Sequence, residues 1–260
     1  MSEAISAYTT RGDGETTVFL LHGIGGGKEY WALQLDVLAR AGYRAVAWDM
    51  PGYGQSESVQ PYTLSVLAKS LELLIDHVAP RRAMLLGHSM GGMVALEGLA
   101  LFPGKIAGAI LSCTSPAFGK SDGAWQQGFL RQRLAPLDAG QGMSDIAPGL
   151  VRGMVAANAD PAAVRRAIDI MSAVPPATYR VALHALMNFD RRALLPAISV
   201  PTLALAGEVD PNAPPTVMQK MAEKIPDGKY ECLPQTGHLA SLEQPEAFNE
   251  AVLRFLKLHY

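Results

Sequence analysis

Apolar residues along the chain follow two spacings in alternation. Residues 17–22, 44–50, 83–86, 106–111 and 202–206 form short, nearly continuous apolar runs with the length of buried strands, and 229–233 resumes that rhythm late in the chain. Between them the spacing changes to that of a helix. Leu64, Leu67, Ala68, Leu71, Leu74, Ile75 and Val78 fall at i, i+3, i+4, i+7, i+10, i+11 and i+14, one face of a single helix. Residues 30–41 are amphipathic and stop at Gly42, 93–101 read as a helix, and 245–258 carry Phe248, Val252, Phe255 and Leu256 on one stripe.

Strands that alternate with helices and are apolar on both faces imply an α/β fold with a mainly parallel sheet covered on both sides. The alternation breaks between about residues 116 and 196. There the strand signal vanishes, methionine, alanine and arginine become common, and Pro136, Pro148, Pro161, Pro175 and Pro176 punctuate the segment. Asp160-Pro161 has the form of a helix start, aspartate as cap and proline in the first turn. The expected organisation is one α/β core in two parts, 1–115 and 197–260, with a helical cap at 116–196 inserted over the carboxyl ends of the strands. Those ends are where open parallel sheets bind ligands.

Composition narrows the function classes. The 260 residues are 49% hydrophobic, enough for one large core, and 22 basic against 24 acidic residues give a formal charge of −2. That balance offers no electrostatic reason for a nucleic acid or an anionic membrane as partner. Two cysteines, Cys113 and Cys232, are too few for a disulfide framework. The first residues lack a basic segment followed by an apolar one, and no apolar run is long enough to span a bilayer, so the expectation is a cytoplasmic protein.

The chemistry centres on Gly87-His88-Ser89-Met90-Gly91, which lies between a strand run and a helix run. Gly-x-Ser-x-Gly in that context is a nucleophile elbow: a turn so tight that its flanks must be glycine, with the serine hydroxyl at the strand's carboxyl end and the helix's positive end. A serine hydroxyl needs a base. Of six histidines, His238 alone follows a strand run in a loop, whereas His22 braces the glycine loop, His88 packs near the turn, His77 and His259 are surface residues and His184 belongs to the insertion. Asp210, after the strand at 202–206, is the candidate to orient the imidazole, with Glu208 as its near rival and Asp49 as a loop-bracing residue. Ser89, Asp210 and His238 thus stand in the order serine, aspartate, histidine. The developing oxyanion requires donors. Met90 N–H is one, and the loop His22-Gly23-Ile24-Gly25-Gly26-Gly27 supplies the other from Ile24, with Gly25 as the alternative. A phosphate-binding role for that loop is disfavoured, since no Gly-Lys-Ser/Thr follows it and Gly-x-Gly-x-x-Gly spacing is missing.

Together these segments resemble the α/β-hydrolase superfamily over nearly the whole chain. The matching residues are His22-Gly23, Asp49-Met50-Pro51-Gly52-Tyr53-Gly54-Gln55-Ser56, Gly87 through Gly92, Pro201 through Asp210, and Gly237-His238. Within the superfamily the chain is similar to the carboxylesterase and lactonase branch, and resembles 3-oxoadipate enol-lactonases in residues 189–196, 210–215 and 238–248. Meta-cleavage hydrolases and many esterases share those segments, which fix the branch and leave the substrate open. A serine at the elbow apex separates the chain from haloalkane dehalogenases and epoxide hydrolases, which carry aspartate there. The resemblance implies a sheet of eight or seven strands flanked by helices, a Ser-His-Asp triad, an acyl-enzyme intermediate, no metal or other cofactor, and a small-molecule ester or lactone as substrate. It also implies a monomer or homodimer. A carbon–carbon bond hydrolase with the same triad and a non-turnover ligand receptor are the alternatives.

Candidate substrate contacts are Gly25, Trp31, Trp125, Phe129 and Leu239. Met154, Met171, Tyr179 and Met187 also lie where they can line an apolar cleft, although methionines at helical spacing equally serve as core filler. Arg131 and Arg133 are placed either to hold a substrate carboxylate or simply to face solvent.

Overall fold

The computed structural model describes residues 4–119 and 123–260. Residues 1–3, which begin the segment read for a leader, and 120–122, within the insertion, lie outside the described residues. Strands β1 (Tyr8–Arg11), β2 (Thr16–Leu21), β3 (Arg44–Trp48), β4 (Arg82–His88), β5 (Gly108–Ser112), β6 (Thr202–Gly207) and β7 (Gly228–Leu233) form one sheet in the order β1-β3-β2-β4-β5-β6-β7. Seven is the smaller of the two strand numbers expected. Only β1 runs antiparallel, paired with β3; every other neighbouring pair is parallel. Strands β2, β5 and β6 are buried at every residue, which matches their unbroken apolar runs.

Helices α1 (Ala32–Arg40), α2 (Leu64–Val78), α3 (Met90–Leu101), α8 (Pro215–Ala222), α9 (Ala240–Glu243) and α10 (Pro245–His259) accompany the sheet. Seven residues of α2 are buried, and they are the seven of its predicted stripe. The Thr63 hydroxyl accepts the Val66 amide and caps that helix. Helix α3 is apolar all round but for Glu97 and is buried along ten of its twelve residues. It is the central helix behind the elbow rather than a surface element.

Between β5 and β6 the chain forms α4 (Ala124–Asp138), α5 (Met143–Arg152), α6 (Pro161–Ser172) and α7 (Pro176–Leu186). Asp160 caps α6 through the Ala162 amide. The two ends of this segment meet: Phe118 N–H donates to the Phe189 carbonyl and Arg191 N–H to the Pro116 carbonyl, with an antiparallel bridge between Ala117 and Asp190. Pro136 and Pro148 sit inside α4 and α5, not at helix ends. Each removes one backbone donor, which the surrounding turns tolerate. Among the described residues no helix is long and apolar enough to cross a membrane.

Candidate active site

Strand β4 ends at His88, Ser89 takes the turn and Met90 opens α3. Ser89 has φ 53° and ψ −118°, a left-handed φ that a residue with a side chain rarely adopts. Its neighbours hold it there. Ser89 N–H donates to the Ser112 carbonyl on β5, while its own carbonyl accepts the Thr114 hydroxyl at 2.7 Å and the amides of Gly92 and Met93. Gly91 has no room for a Cβ, which would collide with the Leu21 and His22 carbonyls.

The loop after β7 carries His238 to Ser89. His238 Nε2 lies 3.0 Å from Ser89 Oγ, and His238 Nδ1 lies 2.8 Å from Asp210 Oδ2. Asp210 follows β6, and its other oxygen accepts the amides of Asn212 and Ala213 at 2.7 and 3.0 Å. One carboxylate oxygen is thus fixed by its own turn and the second is aimed at the imidazole. Burial pushes the Asp210 carboxyl up, but the adjoining His238, with which it bonds, and the two amides together hold it below the usual carboxylate range. With Asp210 ionised, Nδ1 carries the proton it donates, and Nε2 is left to accept from the Ser89 hydroxyl. Glu208, the rival carboxylate, accepts the Gln235 amide and does not reach His238 in the observed bonding.

Two loops complete the floor. The Gly23–Gly26 turn closes through Gly26 N–H to the Gly23 carbonyl, and the Tyr53 hydroxyl donates to the Ile24 carbonyl at 2.9 Å. Among the described residues the backbone N–H groups of Ile24, Gly25 and Met90 make no hydrogen bond. They remain available beside Ser89. His22 braces this loop: its Nε2 accepts Met50 N–H at 3.0 Å and its Nδ1 lies 2.8 Å from the Gly23 carbonyl. Burial lowers the His22 pKa to about 4 against the partial opposition of that carbonyl and of Asp49, so the ring is neutral. Asp49 anchors the next turn by accepting from the Lys28 amide and ammonium and from the Gln55 amide.

His88 stacks on Tyr30 with ring centres 5.2 Å apart and lies 5.0 Å from the His238 ring. Burial first, then the neighbouring His238, drives its pKa well below the ordinary value. Among the described residues the donor atoms of Cys113, Asp210 and His238 gather within 4.8 Å, close enough for a shared cation. Two of the three already bond each other, and burial together with Asp210 pushes the Cys113 thiol up and keeps it protonated. That donor set suits a hydrogen-bonded relay better than a metal.

The cavity above Ser89 takes in Ile24, Gly25, His238 and Leu239, with Met154 and Met171 from the segment between β5 and β6. The other expected contacts are elsewhere. Trp31 is fully buried and packs on Tyr30 and Phe248, because the short 3₁₀ turn before α1 points it into the core. Trp125 and Phe129 of α4 stack on each other and against Phe118, and Trp125 is half exposed. Arg133 lies over the Phe129 ring, Arg131 faces solvent, and Tyr179 and Met187 pack with the core. Residues not anticipated from the sequence are Tyr30, Val151, Ala167 and Ile170 in the lining and Glu243 beneath it. Glu243 Oε2 accepts the amides of Ala156 and Gly237, and Oε1 that of Leu239. The apolar stripes of α5 and α6 carried the signal for Val151, Ala167 and Ile170.

Comparison with known proteins bears on the fold. Residues 16–245 match the model of the alpha/beta hydrolase fold family. The chain is 32% identical over 250 residues to a putative carbamate hydrolase RutD of Variovorax paradoxus, covering 94% of this chain and 92% of that one. A thermophilic esterase from Thermogutta terrifontis superposes with a TM-score of 0.87 at 27% identity, covering 98% and 94% of the two chains. The enol-lactonase from Burkholderia xenovorans LB400 shares the fold, with a TM-score of 0.85 at 24% identity and 96% coverage of both chains.

Proposed function

The chain belongs to the alpha/beta hydrolase fold family, and from that premise we propose that it is a serine hydrolase that cleaves a carboxylic ester or lactone through an acyl-enzyme. The observation that carries this reading is the continuous line from Ser89 Oγ through His238 to Asp210, at 3.0 and 2.8 Å. In the first step Ser89 Oγ forms a bond to the carbonyl carbon as its proton passes to His238 Nε2. The carbonyl π electrons move onto oxygen, which accepts hydrogen bonds from the free N–H groups of Met90 and Ile24. The tetrahedral species collapses and expels the alkoxide, which takes the proton from His238. Water then repeats the sequence on the acyl-enzyme, giving its proton to His238 and releasing the acid and Ser89.

Asp210 keeps the imidazole in the productive tautomer throughout. Helices α4 to α7 act as a cap in this reading, with Val151, Met154, Ile170 and Met171 closing the acyl site from above. The esterase likeness supports ester cleavage in particular. Replacing Ser89 with alanine tests the proposal. Turnover of p-nitrophenyl acetate should fall by about 10⁴-fold or more with the fold unchanged by circular dichroism. Wild-type turnover by Ser89→Ala overturns it.

A further inference from the structure

We propose that the acyl site accepts a small, uncharged acyl group and rejects acyl groups that end in a carboxylate. This rests on the ester-hydrolase reading above and specifies its substrate class. The cavity over Ser89 encloses about 30 Å³, room for one or two waters or an acyl group of a few atoms. Its wall is apolar: Val151, Met154, Ala167, Ile170, Met171 and Leu239 face the glycine loop. Among the described residues no lysine, arginine, aspartate or glutamate lines it. The polar side chains present are Ser89, His238, the Tyr30 phenol and His88, and His88 is held neutral by burial.

A carboxylate carried into such a space loses its water and finds no cation to replace it. The arginines of α4 and α6 nearest this wall lie outside it. Arg133 lies over Phe129, and Arg165 and Arg166 line a separate outer cleft that shares only Ile170 with this cavity. The free backbone N–H groups of Ile24, Gly25 and Met90 lie beside Ser89, where they serve the reacting carbonyl oxygen and not a carboxylate at the far end of an acyl chain. Depth is set by one side chain. The Met171 ε-methyl rests on the open face of Gly25, where any Cβ would collide with it. Methionine is unbranched and mobile, so this stop is soft and its removal lengthens the site.

The experiment compares p-nitrophenyl esters on the wild-type protein, with Ser89→Ala supplying the background for each. The 4-methylpentanoate and hemisuccinate esters have the same shape and differ in the terminal charge. The expected kcat/KM for the hemisuccinate is at least 100-fold below that of the 4-methylpentanoate, and acetate exceeds octanoate at least tenfold. Met171→Ala should raise octanoate relative to acetate about tenfold. A hemisuccinate rate equal to or above its neutral partner overturns the exclusion of charge. An acetate-to-octanoate ratio near one in the wild type, or one that Met171→Ala leaves unmoved, overturns the depth assignment. If Met171→Ala fails to fold, the wild-type comparisons still decide both points. Should no ester be cleaved through Ser89, the hydrolase reading itself falls. Cleavage through Ser89 with a preference for the hemisuccinate defeats only the inference made here.

Discussion

The Glu243 carboxylate accepts three peptide N–H groups, two flanking His238 and one from the turn between α5 and α6. His238 N–H itself donates to the Met154 carbonyl of that same turn at 2.7 Å. The histidine loop and the helical segment are therefore bolted together by one buried acid, which never touches the reacting atoms. Glutamine in its place brings an amide nitrogen against a peptide donor, so at least one bond is lost and one N–H is left buried without a partner. Hydrogen bonds to charged groups contribute about 1.5–3 kcal/mol each, and Glu243→Gln should cost about 2–4 kcal/mol in urea denaturation. If its role is to position His238, kcat for p-nitrophenyl acetate drops at least about tenfold while KM moves little. An unaltered kcat beside a lowered midpoint would reduce Glu243 to a purely structural part. Ser89, Asp210 and His238 were legible in the sequence because each follows a strand run. Glu243 was not, because its partners are backbone groups that carry no side-chain signature.

Among the elements, those that bury a whole face stood out, whereas the antiparallel edge strand β1 did not. The stripe of α2 and the runs of β2 and β6 match the observed burial residue by residue. Strand β1 escaped notice because Tyr8-Thr9-Thr10-Arg11 lies at the antiparallel edge, partly or fully exposed, and so lacks an apolar run. The expected contacts Trp125 and Phe129 lie outside the cavity lining too, since the sequence shows that α4 is helical but not which side packs on α7. One long-range tie joins the helical segment to the elbow helix. Arg191, just past the antiparallel stem, donates to Glu97 of α3 at 2.9 Å, and Ser65 of α2 donates to the same oxygen. The Glu97 side chain is 5% exposed and that of Arg191 35%, so the pair is only partly screened. Arg191→Ala leaves a buried carboxylate with a single hydroxyl for company and should destabilise by about 1–3 kcal/mol. For a chain of this size that is a fall of roughly 2–10 °C in Tm, with Arg191→Lys recovering part of it. A Tm unmoved in Arg191→Ala would show that the tie contributes nothing.

At the scale of the whole molecule, two neutral imidazoles sit under the glycine loop and the elbow, and their burial links the stability of the fold to pH. Burial lowers the His22 pKa to about 4 in the folded chain, from the ordinary imidazole value of 6.5. Between those values the unfolded chain binds a proton that the folded chain refuses, so acid favours unfolding and stability rises with pH. The contribution is complete above about pH 6.5 and disappears as pH falls toward about 4, and at 1.36 kcal/mol per pH unit it amounts to about 3 kcal/mol. His88 acts in the same direction, since burial and the neighbouring His238 and His22 lower its pKa against the pull of Asp210. Asp210 adds loss at still lower pH, because its folded pKa lies below the usual carboxylate value and its stabilisation goes as the carboxylate is protonated. Urea denaturation at pH 7.5, 6 and 5 should therefore show a midpoint that declines steadily on the acid side of 6.5. His22→Gln, which removes the titrating ring and carries its amide oxygen to the position where Nε2 accepts Met50 N–H, should flatten that decline while lowering the midpoint at pH 7.5. A wild-type midpoint that stays constant from pH 7.5 to 5 would mean that neither ring is held neutral by the fold.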